Sequence, residues 1–253
     1  MDDVGELLAL TKSVATNAGR LLLGSIEGHQ RNYEFSSDVR REIKARADAL
    51  LDKEILDRLR PTGLALLSEE SGTLAGASTS PLWFIIDPLD GTVNFVRDLG
   101  PSAISIALWH NQTPIFGVLC LLPTLALAWG GAGLGAFLDD QRIAVSGFTN
   151  KEQAVLCTGV PSRLDLVSPA AGRDMVEMIR SYGKVRMLGS ASLSLLQVAK
   201  GAADAYAEQE IMIWDVAAGL ALVEGAGGKV NVVPGSYEHA LDVFASNGRL
   251  LAG

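Results

Sequence analysis

The residues with the clearest chemical content are Asp87-Pro88-Leu89-Asp90-Gly91-Thr92-Val93-Asn94-Phe95. Asp87 and Asp90 follow directly on the apolar run Trp83-Phe84-Ile85-Ile86. A strand that ends in an acid, turns at a proline and delivers a second acid beside a glycine can hold divalent cations. The same turn can present backbone N–H groups to a phosphate. Gly91 allows close approach of the backbone to a ligand. The N–H groups of Gly91, Thr92 and Val93 would face that phosphate if a short helix starts there. Thr92 adds a hydroxyl able to orient an attacking water. Each residue also has a plainer reading, since Asp beside Pro and Gly is a turn former and a Thr hydroxyl bonds its own backbone.

Other acids sit in comparable places. Glu69 and Glu70 follow the apolar stretch Leu64 to Leu67. Asp215 follows Ile211 to Trp214 and opens a helical stretch through Glu224, a position where Asp also serves as an N-cap. Read as one site, these acids suit hard cations such as Mg²⁺, which take several carboxylate oxygens. Two such ions about 4 Å apart clamp a phosphoryl group between attacking and leaving oxygens. The chemistry expected is metal-assisted phosphate hydrolysis.

The elements that must position these acids are readable from periodicity. Val4 to Glu27 carries apolar residues at helical spacing, and a polar loop follows from Gly28 to Val39. From Arg41 to Arg60 the series Ile43, Ala47, Leu51, Ile55, Leu59 marks an amphipathic helix, stopped by Pro61-Thr62-Gly63. Strands are expected at Leu64 to Leu67, Trp83 to Ile86, Ala103 to Trp109, Ile115 to Leu121 and Leu125 to Trp129, with another through Phe137. Asn111-Gln112-Thr113-Pro114 reads as a hairpin turn, which indicates antiparallel neighbours. The second half alternates strands (Ala154 to Thr158, Lys184 to Met187, Ala205 to Ala207) with helices (Ala170 to Tyr182, Ser192 to Lys200, Asp215 to Gly225). Helices and sheets interleave throughout, a layered α+β or α/β protein.

Composition bounds the partners. The 253 residues, 48% of them hydrophobic, can bury a substantial core. A formal net charge of −8 speaks against a nucleic-acid surface, which needs Lys/Arg stripes. An acidic enzyme still binds a small anionic substrate where metal ions reverse the local sign. Cys120 and Cys157 lie in apolar runs and read as buried thiols. The stretch from Ile115 to Trp129 is broken by Gly117, Pro123 and Thr124, so no membrane span is expected. Met1-Asp2-Asp3 lacks a basic leader, and a cytoplasmic location is expected.

The chain resembles the inositol monophosphatase family, part of a wider superfamily of lithium-sensitive, magnesium-dependent phosphatases. Leu67-Ser68-Glu69-Glu70-Ser71-Gly72 resembles the family's acid-pair motif. Asp87 to Phe95 matches its D-P-x-D-G-T-x-N-F signature, and Trp214-Asp215-Val216-Ala217-Ala218-Gly219 matches its W-D-x-A-A-G motif. The resemblance spans nearly the whole chain in order. It implies a five-layered αβαβα sandwich, one domain over residues 1–253 with halves of about 1–140 and 141–253, and a homodimer.

It also implies roles. Glu69, Asp87 and the carbonyl of Leu89 would bind a first Mg²⁺. Asp87, Asp90 and Asp215 would bind a second, and a weaker third would share Glu69. Thr92, supported by Asp48, would hydrogen-bond the nucleophilic water. Periodicity alone assigns Asp48 to a solvated helix face. Gly91 and Thr92 N–H groups would hold the phosphate, while Ala191, Glu208 and Asp90 would line the alcohol end of a small phosphorylated substrate. Asn94 separates the chain from relatives acting on 3′-phosphoadenosine nucleotides, which carry Lys-Glu at Val93-Asn94. This favours a polyol, sugar or amino-alcohol phosphate: inositol 1-phosphate first, then fructose 1,6-bisphosphate or histidinol phosphate. A regulatory protein on the same fold is the alternative from another class.

Two departures stand out. Tyr33 to Val39 lacks the family's loop lysine, and Ala45 stands where a threonine is usual, with Lys44 pointing elsewhere on a helix. Glu210 stands where relatives often have a small residue and is expected to add charge near Glu208.

Overall fold

The computed structural model describes residues 3–26, 37–160 and 169–250. Two long helices open the chain, α1 (Val4–Ile26) and α2 (Ser37–Leu59). The 3-10 turn Arg60–Thr62 ends α2, and Gly63 closes it in the left-handed region at φ 73°. Most of the loop expected over Gly28 to Val39 lies outside the described residues, as does most of the stretch Tyr33 to Val39.

A sheet of eight strands follows: β1 (Ala65–Ser68), β2 (Gly72–Leu74), β3 (Leu82–Asp90), β4 (Ser102–His110), β5 (Thr113–Leu122), β6 (Leu127–Gly131), β7 (Gly135–Leu138) and β8 (Gln141–Ile143). Their spatial order is β2-β1-β3-β4-β5-β6-β7-β8. Only the β1–β3 pair in this sheet is parallel among the described residues. The short helix α3 (Thr92–Arg97) lies between β3 and β4.

The second half forms a five-stranded sheet from β9 (Val155–Thr158), β10 (Lys184–Arg186), β11 (Ala205–Met212), β12 (Lys229–Pro234) and β13 (Ala240–Ser246), ordered β10-β9-β11-β13-β12. Its helices are α4 (Pro169–Ser181), α5 (Ala191–Ala199) and α6 (Ile213–Gly225).

Side-chain alternation on the strands defines the layers. On β4, Ile104, Ile106 and Leu108 join a core with Val14, Ala18 and Leu22 of α1 and Ala47, Leu51, Ile55 and Leu59 of α2. The other face of β4, with Ala103, Ala107 and Trp109, packs on Leu195, Val216 and Leu220 of α5 and α6. Those two helices also meet Cys157, Tyr206 and Val243 of the second sheet. On that sheet's far side, Leu156 and Ala205 pack with Met178 of α4. The order is therefore helices, sheet, helices, sheet, helix: the expected five-layered sandwich. Burying a Leu or Ile side chain stabilises by about 2 kcal/mol, so the stripe on α2 fixes its rotation about its own axis.

Several boundaries differ from those read in the sequence. β3 runs on to Asp90 through an irregularity between Asp87 and Asp90 rather than ending at Asp87. Thr113-Pro114 belongs to β5, leaving Asn111 at φ 54° in the turn. Leu125, at φ 61°, is turn rather than strand. β2, β8, β12 and β13 had no counterpart in the sequence reading. For β12 and β13 the signal was partial: Lys229-Val230-Asn231-Val232 alternates before Val233, and β13 is an apolar, β-branched and aromatic run interrupted by Asp242. Among the described residues no helix is long and apolar enough to cross a membrane. Both cysteines are buried, which pushes each thiol up to about 11.

Candidate active site

Glu69 and Asp87 arise from the parallel pair. Ser68 lies opposite Ile86, and the Glu69 N–H donates to the Ile86 carbonyl at 3.1 Å. Alternation from Leu67 and Ile85, which face the α5/α6 layer, turns Glu69 and Asp87 to that same side. Asp215 reaches them from the first turn of α6. It is not an N-cap as sequence position suggested: Met212 occupies that place, and Asp215 lies three residues into the helix. The height of α6 over the sheet is set at Gly117 of β5, where a Cβ would sit 2.2 Å from the Ala218 carbonyl oxygen.

The result is a cluster. Carboxylate oxygens of Glu69, Asp87 and Asp215 all lie within 4.8 Å of one another. Asp87 is 1% exposed; one of its oxygens, Oδ1, accepts the Leu89 N–H at 2.9 Å. Its other oxygen, Oδ2, is buried and meets no hydrogen-bond donor among the described residues. Burial first, then the charges of Glu69, Asp90 and Asp215, push the Asp87 carboxyl well above the usual range. Asp215 is raised likewise by burial and then by Asp90, Glu69 and Glu208. Crowded carboxylates with an orphaned buried oxygen are the donor set a divalent cation satisfies. The residues present therefore fit a metal.

Asp90 stands beside this cluster, 6% exposed. Its Oδ2 accepts the Ser190 hydroxyl, the Ser192 N–H at 2.9 Å and the Ser192 hydroxyl. Burial raises its pKa, and those Ser190 and Ser192 bonds oppose the rise. Ser190 is also the N-cap of α5, accepting the Leu193 N–H, so Asp90 is seated at the start of that helix beside Ala191. Asn94 fixes the same junction by donating to the Pro101 carbonyl at 2.9 Å and the Leu188 carbonyl at 2.7 Å. A glutamate at this position could donate neither bond.

Gly91 is required twice over. Its φ is 79°, and a Cβ there would sit 2.9 Å from the Pro101 carbonyl oxygen. It caps α3, whose first turn has no side-chain cap. The Thr92 hydroxyl donates to the Leu89 carbonyl at 2.8 Å, linking the water-orienting candidate to the carbonyl proposed as a ligand.

Asp48 is not on a solvated face: it is 5% exposed, on the buried side of α2. Periodicity misassigned it because Ala47 and Leu51 already mark that side of the helix and Asp48 borders the stripe. Glu208 on β11 is partly buried and accepts the Tyr206 hydroxyl at 2.8 Å. Burial pushes Glu208 up to about 7, against that bond. Gly159 lies against its carboxylate, 2.5 Å from where a Cβ would be. Glu210 does not add its charge to this group. At φ 54° in the β11 irregularity, its carboxylate accepts the Ser236 N–H at 2.9 and 3.0 Å. The side chains of Lys44 and Ala45 lie outside the described residues.

A layered α+β sandwich with acids converging at strand and helix ends defines a class of metal-site folds, and comparison with known proteins places the chain within it. Residues 3–253 match the model of the inositol monophosphatase family. The chain belongs to that family. The inositol-1-monophosphatase of Mesorhizobium japonicum is 33% identical over 253 residues, covering 98% of this chain and 91% of that one. A Pseudomonas aeruginosa protein named Nus factor SuhB is also 33% identical, with the same coverage. The solved structure of inositol monophosphatase from Anabaena superposes with a TM-score of 0.80 at 29% identity, over 98% of this chain and 93% of that one.

Proposed function

We propose that the protein is a Mg²⁺-dependent phosphomonoesterase acting on a small polyol phosphate, inositol 1-phosphate before fructose 1,6-bisphosphate or histidinol phosphate. The observation that carries this reading is the convergence of Glu69, Asp87 and Asp215 around the donorless Asp87 Oδ2. Glu69, Asp87, the Leu89 carbonyl, Asp90 and Asp215 would hold the ions. Bound there, Mg²⁺ would supply Lewis acidity toward the phosphate and lower the pKa of an attacking water.

The chain's own groups do the rest. Asp48 and the Thr92 hydroxyl orient the water, and the Gly91 and Thr92 N–H groups at the uncapped start of α3 hold phosphate oxygens. Ala191, Asp90 and Glu208 line the alcohol side. A Glu208 carboxyl pushed to about 7 can accept from or donate to a substrate hydroxyl near neutrality.

Phosphate release from a panel of inositol, sugar, histidinol and nucleotide phosphates, with and without Mg²⁺, tests this. Mg²⁺-dependent turnover with inositol 1-phosphate highest in kcat/KM is expected. Absence of release from every ester would favour a regulatory role instead, a reading that the likeness to a protein named as a Nus factor supports.

A further inference from the structure

The mechanism above leaves one buried carboxylate beside the site unused. Asp52 lies one turn beyond Asp48 on α2 and is 7% exposed. Its Oδ1 accepts the hydroxyl of Ser68, itself fully buried, and its Oδ2 accepts the hydroxyl of Ser71. Those serines bracket Glu69 and Glu70. Ser68 is the last residue of β1, and Gly72, at φ 68°, begins β2 opposite it. Glu69 is exposed in this turn, and its carboxylate meets Asp87 and Asp215 from the backbone that carries it. One edge of that backbone is fixed by the Glu69 N–H on Ile86. The other edge is held by Asp52.

We propose that Asp52 is a positioning residue: by clamping the Ser68 and Ser71 hydroxyls it holds the β1–β2 turn so that Glu69 stays in register with Asp87 and Asp215. This rests on the metal site proposed above. The physical reason is the anisotropy of the turn. A three-residue connection between short strands has little packing of its own, and two charge-assisted hydrogen bonds to a helix embedded in the core remove its main freedom to swing. α2 thus supplies two carboxylates to the site. Asp48 is buried one turn before Asp52, and Asp52 acts through the turn bearing Glu69.

The test is Mg²⁺ titration by calorimetry on the whole protein, with thermal unfolding in EDTA measured in parallel. Ser71→Ala removes one clamp bond at an exposed position off the helix. It should weaken Mg²⁺ binding several-fold while leaving unfolding in EDTA nearly unchanged. Asp52→Ala should weaken binding about tenfold to a hundredfold, the range for partners that orient metal ligands. The double variant should bind no more weakly than Asp52→Ala alone, because Ser71 acts only through Asp52. Wild-type affinity in Ser71→Ala and Asp52→Ala, or additive losses in the double variant, would overturn the inference. Failure of the wild-type protein to bind Mg²⁺ at all would overturn the proposed function and this inference with it. Folding loss in Asp52→Ala leaves Ser71→Ala to decide.

Discussion

Ser192 donates both its N–H and its hydroxyl to one oxygen of Asp90, across a sequence separation of 102 residues. Asp90 ends the strand of the D-P-x-D-G-T motif, whereas Ser192 lies in the first turn of α5, so the bond joins the two halves of the molecule within the site. Those donors oppose the burial that raises the Asp90 pKa. Ser192→Ala should therefore lower stability by about 1–2 kcal/mol and move the acidic limb of the activity profile upward. Urea unfolding and kcat/KM against pH check both. An unshifted limb would mean that Asp90 does not titrate in catalysis.

Asp87→Asn should reduce Mg²⁺-dependent turnover by about a thousandfold or more, some 4 kcal/mol of transition-state stabilisation, while far-UV circular dichroism stays native. In EDTA the same variant should melt higher than wild type, since it removes one of several crowded buried charges. Retained turnover would sink the assignment of Asp87 to both metal positions.

The metal-free protein should lose stability as pH rises. A carboxyl whose folded-state pKa is raised contributes stability that is complete below its unfolded value and lost as pH climbs through the folded one. For Glu208 that window runs from 4.5 to about 7, and Asp87 and Asp215 shift in the same direction. Melting in EDTA should thus fall between these limits. Saturating Mg²⁺, which binds only the deprotonated cluster, should raise Tm more at pH 8 than at pH 5.5. An equal Mg²⁺ increment at both values would contradict the acidic cluster as the binding site.

How much of this was legible in the sequence depended on what sets each feature. Asp87, Asp90 and Asp215 were legible because motif spacing and strand ends are local. The α2 stripe was legible because Ala47, Leu51, Ile55 and Leu59 repeat at helical period. The burial of Asp48 was not, because tertiary packing decides which residues bordering a helical stripe are covered. Asp52 was missed for the same reason: its partners lie on a turn 16 and 19 residues away. Glu210 was misread because its side-chain direction follows from a left-handed backbone in a strand irregularity that no composition signal marks.

Tyr206→Phe should leave the fold intact and act on Glu208 alone. Loss of the 2.8 Å bond removes the contact that opposes the raised pKa, so the Glu208 carboxyl should titrate above its present value of about 7. KM for a polyol phosphate should then change with pH in the neutral range, with kcat little affected, if Glu208 lines the alcohol side as proposed and not the attacking water. A fall in kcat with KM constant would place Glu208 in the chemical step instead.

Glu210 tests whether the β11 irregularity is held by its side chain or tolerated in spite of it. The left-handed conformation at φ 54° costs a non-glycine residue about 1 kcal/mol or more, and the two contacts to the Ser236 N–H offset that. Glu210→Ala keeps the strain and loses the anchor, so it should destabilise by about 1–2 kcal/mol in urea. Glu210→Gly loses the anchor and relieves the strain, and should fall closer to wild type by about 1 kcal/mol. The loop from Gly235 to His239 lies against α6, since the Ile213 N–H donates to the His239 carbonyl and the His239 ring meets that of Trp214 at 6.1 Å. Both variants should therefore loosen the N-terminal turn bearing Asp215 and weaken Mg²⁺ binding to a similar degree. Equal stability of Ala and Gly variants would show that the backbone at this position carries no strain.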